Sequence, residues 1–169
     1  MSNKQNSKVE LAAYVTIIIL ALVSSTVLIK RFLMDGGQGP RDTRIAVGTK
    51  VSLPGLDWSG NKRTLVLAVS AGCRYCTESA PFYRRISTEA SNQDGVGLVA
   101  VLPQPIDEAR RYLSELGVSI ESVSGRLDTL GVSATPTLLL VDRDGAVRKS
   151  WVGKLPESAE AEVLASLKE

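Results

Sequence analysis

The chain has 169 residues, of which 44% are hydrophobic, and a formal net charge of +2 at pH 7. This hydrophobic content excludes a disordered chain, and the near-balance of charge excludes a dedicated nucleic-acid-binding surface. The length fits one domain with an appendage. Because the chain has two cysteines and no histidine, a structural zinc site with its usual four Cys or His ligands would need a partner chain.

A membrane anchor is expected near the amino terminus. After a polar tail at residues 1–10, the segment from Leu11 to Ile29 runs for nineteen residues without a charge, and a spanning helix needs about 20. A cleaved signal peptide is the alternative, but its apolar region is usually about 7–15 residues long. A buried core helix would normally carry a polar face. We therefore predict an uncleaved transmembrane helix at residues 11–29.

The charges on either side of this segment leave its orientation open. Two lysines precede it, whereas the basic residues that follow are Lys30, Arg31, Arg41 and Arg44. The positive-inside rule alone would place the following domain in the cytoplasm, although long domains translocate largely regardless of charge. Residues 30–44 include a glycine-rich stretch without hydrophobic periodicity, so we expect a flexible tether there.

The two cysteines lie between a predicted strand and a predicted helix. An apolar run at residues 64–69 favours a buried strand, and apolar residues recur at helical spacing over residues 80–90. Cys73 is therefore expected near the first turn of the helix, where unpaired N–H groups and the helix dipole favour an anion. We expect a lowered pKa for its thiol, and the adjacent Arg74 acts in the same direction.

Other uses of this cysteine pair are weaker hypotheses. Covalent attachment of haem requires a histidine directly after the second cysteine, and Thr77 occupies that position. Two buried, inert structural cysteines remain an alternative. The placement of Cys73 at a helix start favours redox chemistry, with Cys73 as the attacking nucleophile and Cys76, one turn inside the helix, as the resolving thiol.

The remainder of the chain alternates between strand and helix patterns. This alternation predicts parallel strands joined by right-handed crossovers. We expect an α/β fold with a mixed central sheet and helices on both faces. The remaining predicted elements are a strand at 96–102, a helix with an apolar stripe from 106 to 116, a short strand at 119–122, a short helix at 125–130, a hairpin at 137–152 and a last helix that begins at Pro156.

Residues 45–169 resemble the thioredoxin superfamily, and most closely its membrane-tethered TlpA/ResA/DsbE-type thiol-disulfide oxidoreductases. Pro81, five residues after the second cysteine, matches the proline that kinks the family's active-site helix. The segment Gly131-Val132-Ser133-Ala134-Thr135-Pro136-Thr137 matches the family's G-V-x-x-x-P-T motif. The resemblance also predicts a short N-terminal β region at residues 47–56.

The resemblance implies specific roles at the site. Cys73 and Cys76 would form the redox-active disulfide, and Pro136 would follow a cis peptide bond and lie beside it. The backbone of Thr135 would then bind an extended substrate by strand addition, with Arg74 and Tyr75 as further substrate contacts. The resemblance implies no cofactor and no metal. The expected partners are protein thiols or disulfides and a redox protein that recharges the site.

The sequence departs from the family pattern at three positions near the cysteines. Gly72 stands where an aromatic residue is common, and Leu67 replaces the buried acid found in many thioredoxins. Ser79 replaces a glutamate that is frequent in the TlpA-like branch, while Glu78 lies one position earlier. We expect Glu78 to be a solvated first-turn acid that complements the helix dipole rather than a proton shuttle.

The leading hypothesis is a single-pass membrane protein that exchanges electrons with cysteines of extracytoplasmic proteins, as a reductant, for example in cytochrome c maturation. The alternative is a non-catalytic thioredoxin-fold subunit of a membrane assembly. A peroxidase is rejected because its P-x-x-x-T-x-x-C pattern is missing. A copper metallochaperone of this fold would use C-x-x-x-C and a distant histidine, and both are absent from the sequence.

Overall fold

The computed structural model describes residues 44–168. The predicted membrane span at residues 11–29 lies outside this range, and no helix within residues 44–168 is long and apolar enough to cross a membrane. The described strands are β1 (Arg63–Ala68), β2 (Val96–Leu102), β3 (Glu121–Ser124), β4 (Thr137–Asp142) and β5 (Val147–Val152). The described α-helices are α1 (Arg74–Glu78), α2 (Ala80–Ser91), α3 (Ile106–Glu115) and α4 (Glu157–Ser166).

The five strands form one mixed sheet in the order β3-β2-β1-β4-β5. The pairs β1–β2 and β2–β3 are parallel, whereas β4 pairs with β1 and β5 in antiparallel fashion. The central strand β1 is buried along nearly its whole length, as expected for a continuous apolar run that is covered on both faces. The predicted thioredoxin-like α/β fold with a mixed sheet is confirmed.

The α-helices pack on one face of the sheet. Buried side chains of α2, α3 and α4 join one core cluster, together with Leu65 and Leu67 of β1. The alternate residues Val66 and Ala68 face a second cluster, which is covered by the segment before β1 and by the 3₁₀ helix Leu127–Leu130. Helices were predicted on both faces of the sheet. On this second face, the described helix is the short 3₁₀ helix Leu127–Leu130. The connections from β1 to β2 and from β2 to β3 both proceed toward the same edge of the sheet. Because crossovers between parallel strands have the same hand, the helices in these two connections lie on the same face.

The segment before β1 differs from the prediction. The expected β region at residues 47–56 forms only an isolated bridge between Lys50 and Ala146. Val51 and Leu53 are buried against the sheet, but Pro54 has no N–H to donate to a strand ladder. Residues 48–51 are nevertheless joined to residues 145–147 by three backbone hydrogen bonds of 2.8–2.9 Å, and the segment covers the sheet through these bonds and its buried side chains.

The sheet brings two distant loops together at one edge. In the antiparallel pair of β1 and β4, Ala68 at the end of β1 lies opposite Thr137 at the start of β4. The loop that follows Ala68 carries both cysteines, and the residues that precede Thr137 are Thr135 and Pro136. The register of this one strand pair therefore places the cysteines beside the predicted docking segment.

Candidate active site

The loop between β1 and α1 positions the first cysteine. The backbone N–H of Cys73 donates to the carbonyl of Ser70 across 3.2 Å, which closes a tight turn. The third residue of this turn, Gly72, has φ of +82°, and turns with a positive φ at that position call for glycine. The departure from an aromatic residue at Gly72 therefore reflects the local backbone conformation.

Cys73 and Cys76 are joined by a disulfide, with their Cα atoms 5.2 Å apart. Cys73 is the N-cap of α1, and its sulfur accepts a hydrogen bond from the backbone N–H of Cys76 at 3.2 Å. The Cys73 side chain is half-buried, while Cys76 has no exposed surface. An outside thiol or disulfide can therefore reach Cys73 and not Cys76. The same N–H would stabilise a thiolate on Cys73 after reduction.

The active-site helix is broken directly after the cysteines. α1 ends at Glu78, and α2 begins at Ala80 with Pro81 in its first turn. Proline has no N–H for the carbonyl four residues earlier, and its ring crowds that carbonyl. At the junction the Ser79 hydroxyl donates to the carbonyl of Tyr75 at 2.8 Å. This break agrees with the kink that the resemblance predicted at Pro81.

The segment before β4 lies against the disulfide. The Thr135–Pro136 peptide bond is cis, as predicted, and the Thr135 carbonyl oxygen lies 3.5 Å from the sulfur of Cys73. The Pro136 carbonyl accepts a hydrogen bond from the N–H of Gly153 at 2.7 Å, which ties the segment to the loop after β5. The structure thus brings Thr135, Pro136 and both cysteines together.

The two residues between the cysteines face solvent. Tyr75 is 55% exposed, and Arg74 is also exposed. Arg74 donates to the Glu78 carboxylate at 2.7 Å, and Lys154 donates to the same carboxylate at 2.8 Å. These hydrogen bonds, that from Lys154 first, lower the pKa of Glu78 below its usual range.

The expectation that Glu78 is a first-turn acid is wrong. Glu78 is the last residue of α1, because the break before Pro81 leaves that helix only five residues long. Its carboxylate therefore does not complement the positive end of the helix dipole. It links α1 to the loop after β5 through Lys154.

Comparison with known proteins identifies the family. The model of the Redoxin family matches residues 40–167, which is most of the chain. The chain belongs to the Redoxin family. Together with the Cys73–Cys76 disulfide, this membership supports thiol-disulfide oxidoreductase activity.

Several solved structures have the same fold as this Redoxin-family chain. A Chlorobium tepidum protein described as a thiol:disulfide interchange protein DsbE is 24% identical, with a TM-score of 0.59 over 73% of this chain and 99% of its own. The thioredoxin domain of a Bacteroides vulgatus thiol-disulfide oxidoreductase is 17% identical, with a TM-score of 0.56 over 74% and 99%. StoA from Bacillus subtilis is 18% identical, with a TM-score of 0.53 over 73% and 96%. No curated protein sequence matches the chain.

Two contacts near the cysteine pair were not predicted from the sequence. The Gln104 side-chain amide donates to the hydroxyl of Ser70 at 3.1 Å and so supports the loop that carries Cys73. The hydroxyls of Tyr112 and Thr77 lie 3.4 Å apart and join α3 to α1. Gln104 follows the end of β2, which is parallel to β1. The sequence could therefore indicate that Gln104 lies near Ser70 only through the prediction that β1 and β2 are parallel, since both residues then follow strands that end at the same edge of the sheet.

Proposed function

We propose that this protein is a membrane-anchored thiol-disulfide oxidoreductase that exchanges electrons with cysteines of extracytoplasmic proteins and acts as a reductant. The observation that carries the proposal is the position of Cys73. Its half-buried sulfur caps α1, is bonded to the fully buried Cys76, and lies 3.5 Å from the Thr135 carbonyl.

The proposed reaction is a two-step exchange. The Cys73 thiolate attacks one sulfur of a substrate disulfide, which forms a mixed disulfide and releases the other substrate sulfur as a thiolate. The Cys76 thiolate then attacks the Cys73 sulfur, which forms the Cys73–Cys76 bond and releases the second substrate sulfur. The substrate disulfide gains two electrons and the protein dithiol loses two. A partner dithiol must then reduce the Cys73–Cys76 bond.

The substrate segment is proposed to dock beside Pro136. In β4 the ladder begins at Thr137, so the backbone of Thr135 precedes it at the edge where Cys73 lies. An extended peptide that adds there as a strand places its own sulfur near Cys73. Tyr75 and Arg74, both exposed next to Cys73, supply an aromatic surface and a positive charge for such a peptide.

The membrane location of this activity is also a proposal. It is supported by nineteen uncharged residues at Leu11–Ile29 and by the following glycine-rich tether. The resemblance to TlpA/ResA/DsbE-type proteins favours an extracytoplasmic domain and substrates such as apocytochrome c. A solved structure of similar fold is an exposed lipoprotein thioredoxin of Streptococcus pneumoniae, which supports the same location.

An insulin-reduction assay on the purified full-length chain tests the activity. With dithiothreitol as electron donor, we expect the protein to accelerate precipitation of the insulin B chain. The variants Cys73→Ser and Cys76→Ser should both lose this acceleration. If the wild type is no faster than either variant, the protein is a non-catalytic thioredoxin-fold subunit and the proposal is wrong.

A further inference from the structure

Two cations flank the reactive sulfur from separate parts of the chain. Arg74 follows Cys73 directly and begins α1. Lys154 follows Gly153, whose N–H donates to the Pro136 carbonyl at 2.7 Å, in the segment that lies against the disulfide. The loop after β5 therefore brings a second cation to the edge of the sheet where the disulfide lies.

The Glu78 carboxylate holds these two cations together. One of its oxygens accepts a hydrogen bond from Nζ of Lys154 at 2.8 Å, and the other accepts from Nε of Arg74 at 2.7 Å. These hydrogen bonds lower the pKa of Glu78, so the carboxylate is ionised at neutral pH. The three residues form the cationic cluster. One anion against two cations leaves this cluster with a net positive charge.

The positive charge of the cationic cluster faces solvent. The side chain of Arg74 is 83% exposed and that of Lys154 is 50% exposed, whereas that of Glu78 is 31% exposed. A molecule that approaches the disulfide therefore meets the two cations before the carboxylate. Arg74 uses its Nε to bind Glu78, which leaves the terminal groups of the guanidinium for a further acceptor. Guanidinium donors match the geometry of a carboxylate.

Acidic residues that begin α3 and α4 do not pair with the cationic cluster. Asp107 and Glu108 lie in the first turn of α3, and Glu157 lies in that of α4. Anions at these positions complement the positive ends of their own helix dipoles. Within residues 44–168, none of the three forms an ion pair with Arg74 or Lys154. In this part of the chain, the net positive charge of the cluster has no direct partner.

We propose that the cationic cluster selects substrates that carry an acidic side chain close to the reacting cysteine. This inference rests on the proposed function and names the class of substrate that its first step favours. An extended peptide advances about 3.3 Å per residue, so an Asp or Glu two residues from the cysteine lies about 7 Å along the peptide, a distance that a long Arg or Lys side chain spans. The acidic side chain is bound before and during the attack by Cys73. The exchange of electrons between the sulfurs is unchanged.

Single-turnover reduction of model peptides by the full-length chain tests this inference. Each peptide carries its cysteine in a mixed disulfide with 2-thiopyridine, and attack by Cys73 on the peptide sulfur releases the uncharged, coloured thiopyridone. The peptides differ only in the residues on either side of the cysteine, which are Asp, Asn or Lys. The rate of each peptide with dithiothreitol, whose attacking thiolate is also an anion, corrects for the reactivity of the peptide itself.

The corrected rates should follow the charge of the peptide. At low salt we expect the Asp peptide to react about fivefold faster than the Asn peptide, which is the upper range for an exposed ion pair. The Lys peptide should be the slowest. A salt concentration of about 0.5 M should weaken the preference, because the charges of the cationic cluster are exposed.

Variants of the two cations identify the source of this preference. Arg74→Gln and Lys154→Gln should each reduce the preference for Asp over Asn, and the double variant should abolish it. Lys50→Gln is the matched control. Lys50 is also an exposed lysine that donates a hydrogen bond, but its acceptor is the Asp144 carbonyl, in the turn after the end of β4 that pairs with the start of β1. This variant should keep the wild-type preference.

The ratio of two peptides within one variant cancels any change in the Cys73 thiol, so a loss of preference is distinct from a loss of activity. The inference is overturned if the wild type reduces the Asp and Asn peptides at equal corrected rates. It is also overturned if the preference survives in the double variant, or if Lys50→Gln loses it equally. A wild type that reacts with every peptide no faster than dithiothreitol does would instead contradict the proposed function.

Discussion

The sulfur of Cys73 lies 3.5 Å from the carbonyl oxygen of Thr135, a residue 62 positions later in the chain. A disulfide sulfur has no proton to donate, so this contact can become a hydrogen bond only after Cys73 is reduced to a thiol. The contact exists because Ala68 pairs with Thr137. The reactive sulfur and the predicted docking backbone are therefore held in place by the same strand pair.

The two cysteines should differ strongly in reactivity after reduction. Cys73 is half-buried and accepts the Cys76 N–H at 3.2 Å, whereas Cys76 is fully buried. We expect iodoacetamide to modify Cys73 at least tenfold faster than Cys76 below pH 7, because the thiolate is the reactive form. Mass spectrometry of the digested chain measures both rates, and Cys73→Ser provides the rate of Cys76 alone. Equal rates would contradict the assignment of Cys73 as nucleophile.

Gly72 should be needed for its backbone conformation and not for lack of space. A Cβ at this position would meet nothing within 4 Å, but φ is +82°. We expect Gly72→Ala to lower the free energy of unfolding by about 1–2 kcal/mol, the cost of a left-handed conformation for an L-residue. The matched control is Gly60→Ala, which also has open space but no positive φ. Urea unfolding that shows equal losses for both variants would refute the argument.

Glu78 should act as a structural link and not as a proton shuttle. Its depressed pKa means that its contribution to stability is present above the ordinary value near 4.5 and is lost as the pH falls through the folded-state pKa. We therefore expect Glu78→Gln to lower the melting temperature slightly at pH 7 and to match the wild type at low pH. High salt should reduce the difference, because the ion pairs with Arg74 and Lys154 are at the surface.

Catalysis provides the contrasting measurement for Glu78. Insulin reduction by Glu78→Gln should stay within about twofold of the wild type at pH 7, since the Glu78 carboxylate is held by two cations, Arg74 and Lys154. A loss of tenfold or more, with a shifted pH profile, would restore the proton-shuttle hypothesis.

Local sequence patterns predicted the central elements well. Strand β2 matches the apolar run at 96–102, and the helix α3 buries Ala109 and Leu113 of its predicted stripe. These segments are apolar where they are covered, so pattern and burial agree. The helix break at Pro81 was predictable because proline lacks the N–H that a continuing helix needs. The end of the short helix at Gly131 was predictable because glycine readily adopts the left-handed conformation that it has there.

Features that depend on tertiary packing were less predictable. The short strand β3 begins at Glu121, two residues later than expected, because its register is set by β2 and its own sequence is polar. The contact of Gln104 with Ser70 joins two loops, and that of Lys154 with Glu78 joins a loop to the end of α1. Neither leaves a periodic signal in the chain. Tyr83 fitted a helical pattern, but the burial of its hydroxyl became visible only in three dimensions.

The proposed topology can be tested with intact spheroplasts. We expect externally added protease to remove the part of the chain beyond the glycine-rich stretch at Gly36–Pro40 and to leave the short amino-terminal part protected. A cytoplasmic marker protein must survive the same treatment as a control. Complete protection until lysis would reverse the orientation and agree with the charge count at Lys30, Arg31, Arg41 and Arg44.

Trapping of substrates by Cys76→Ser tests the central claim most directly. This variant keeps the attacking Cys73 but lacks the thiol that resolves a mixed disulfide. In cells that express the full-length variant, we predict adducts with other proteins that disappear on treatment with dithiothreitol and are absent from the Cys73→Ser, Cys76→Ser double variant. Absence of any such adduct, while Cys73 remains open to alkylation, would contradict thiol-disulfide exchange with protein substrates.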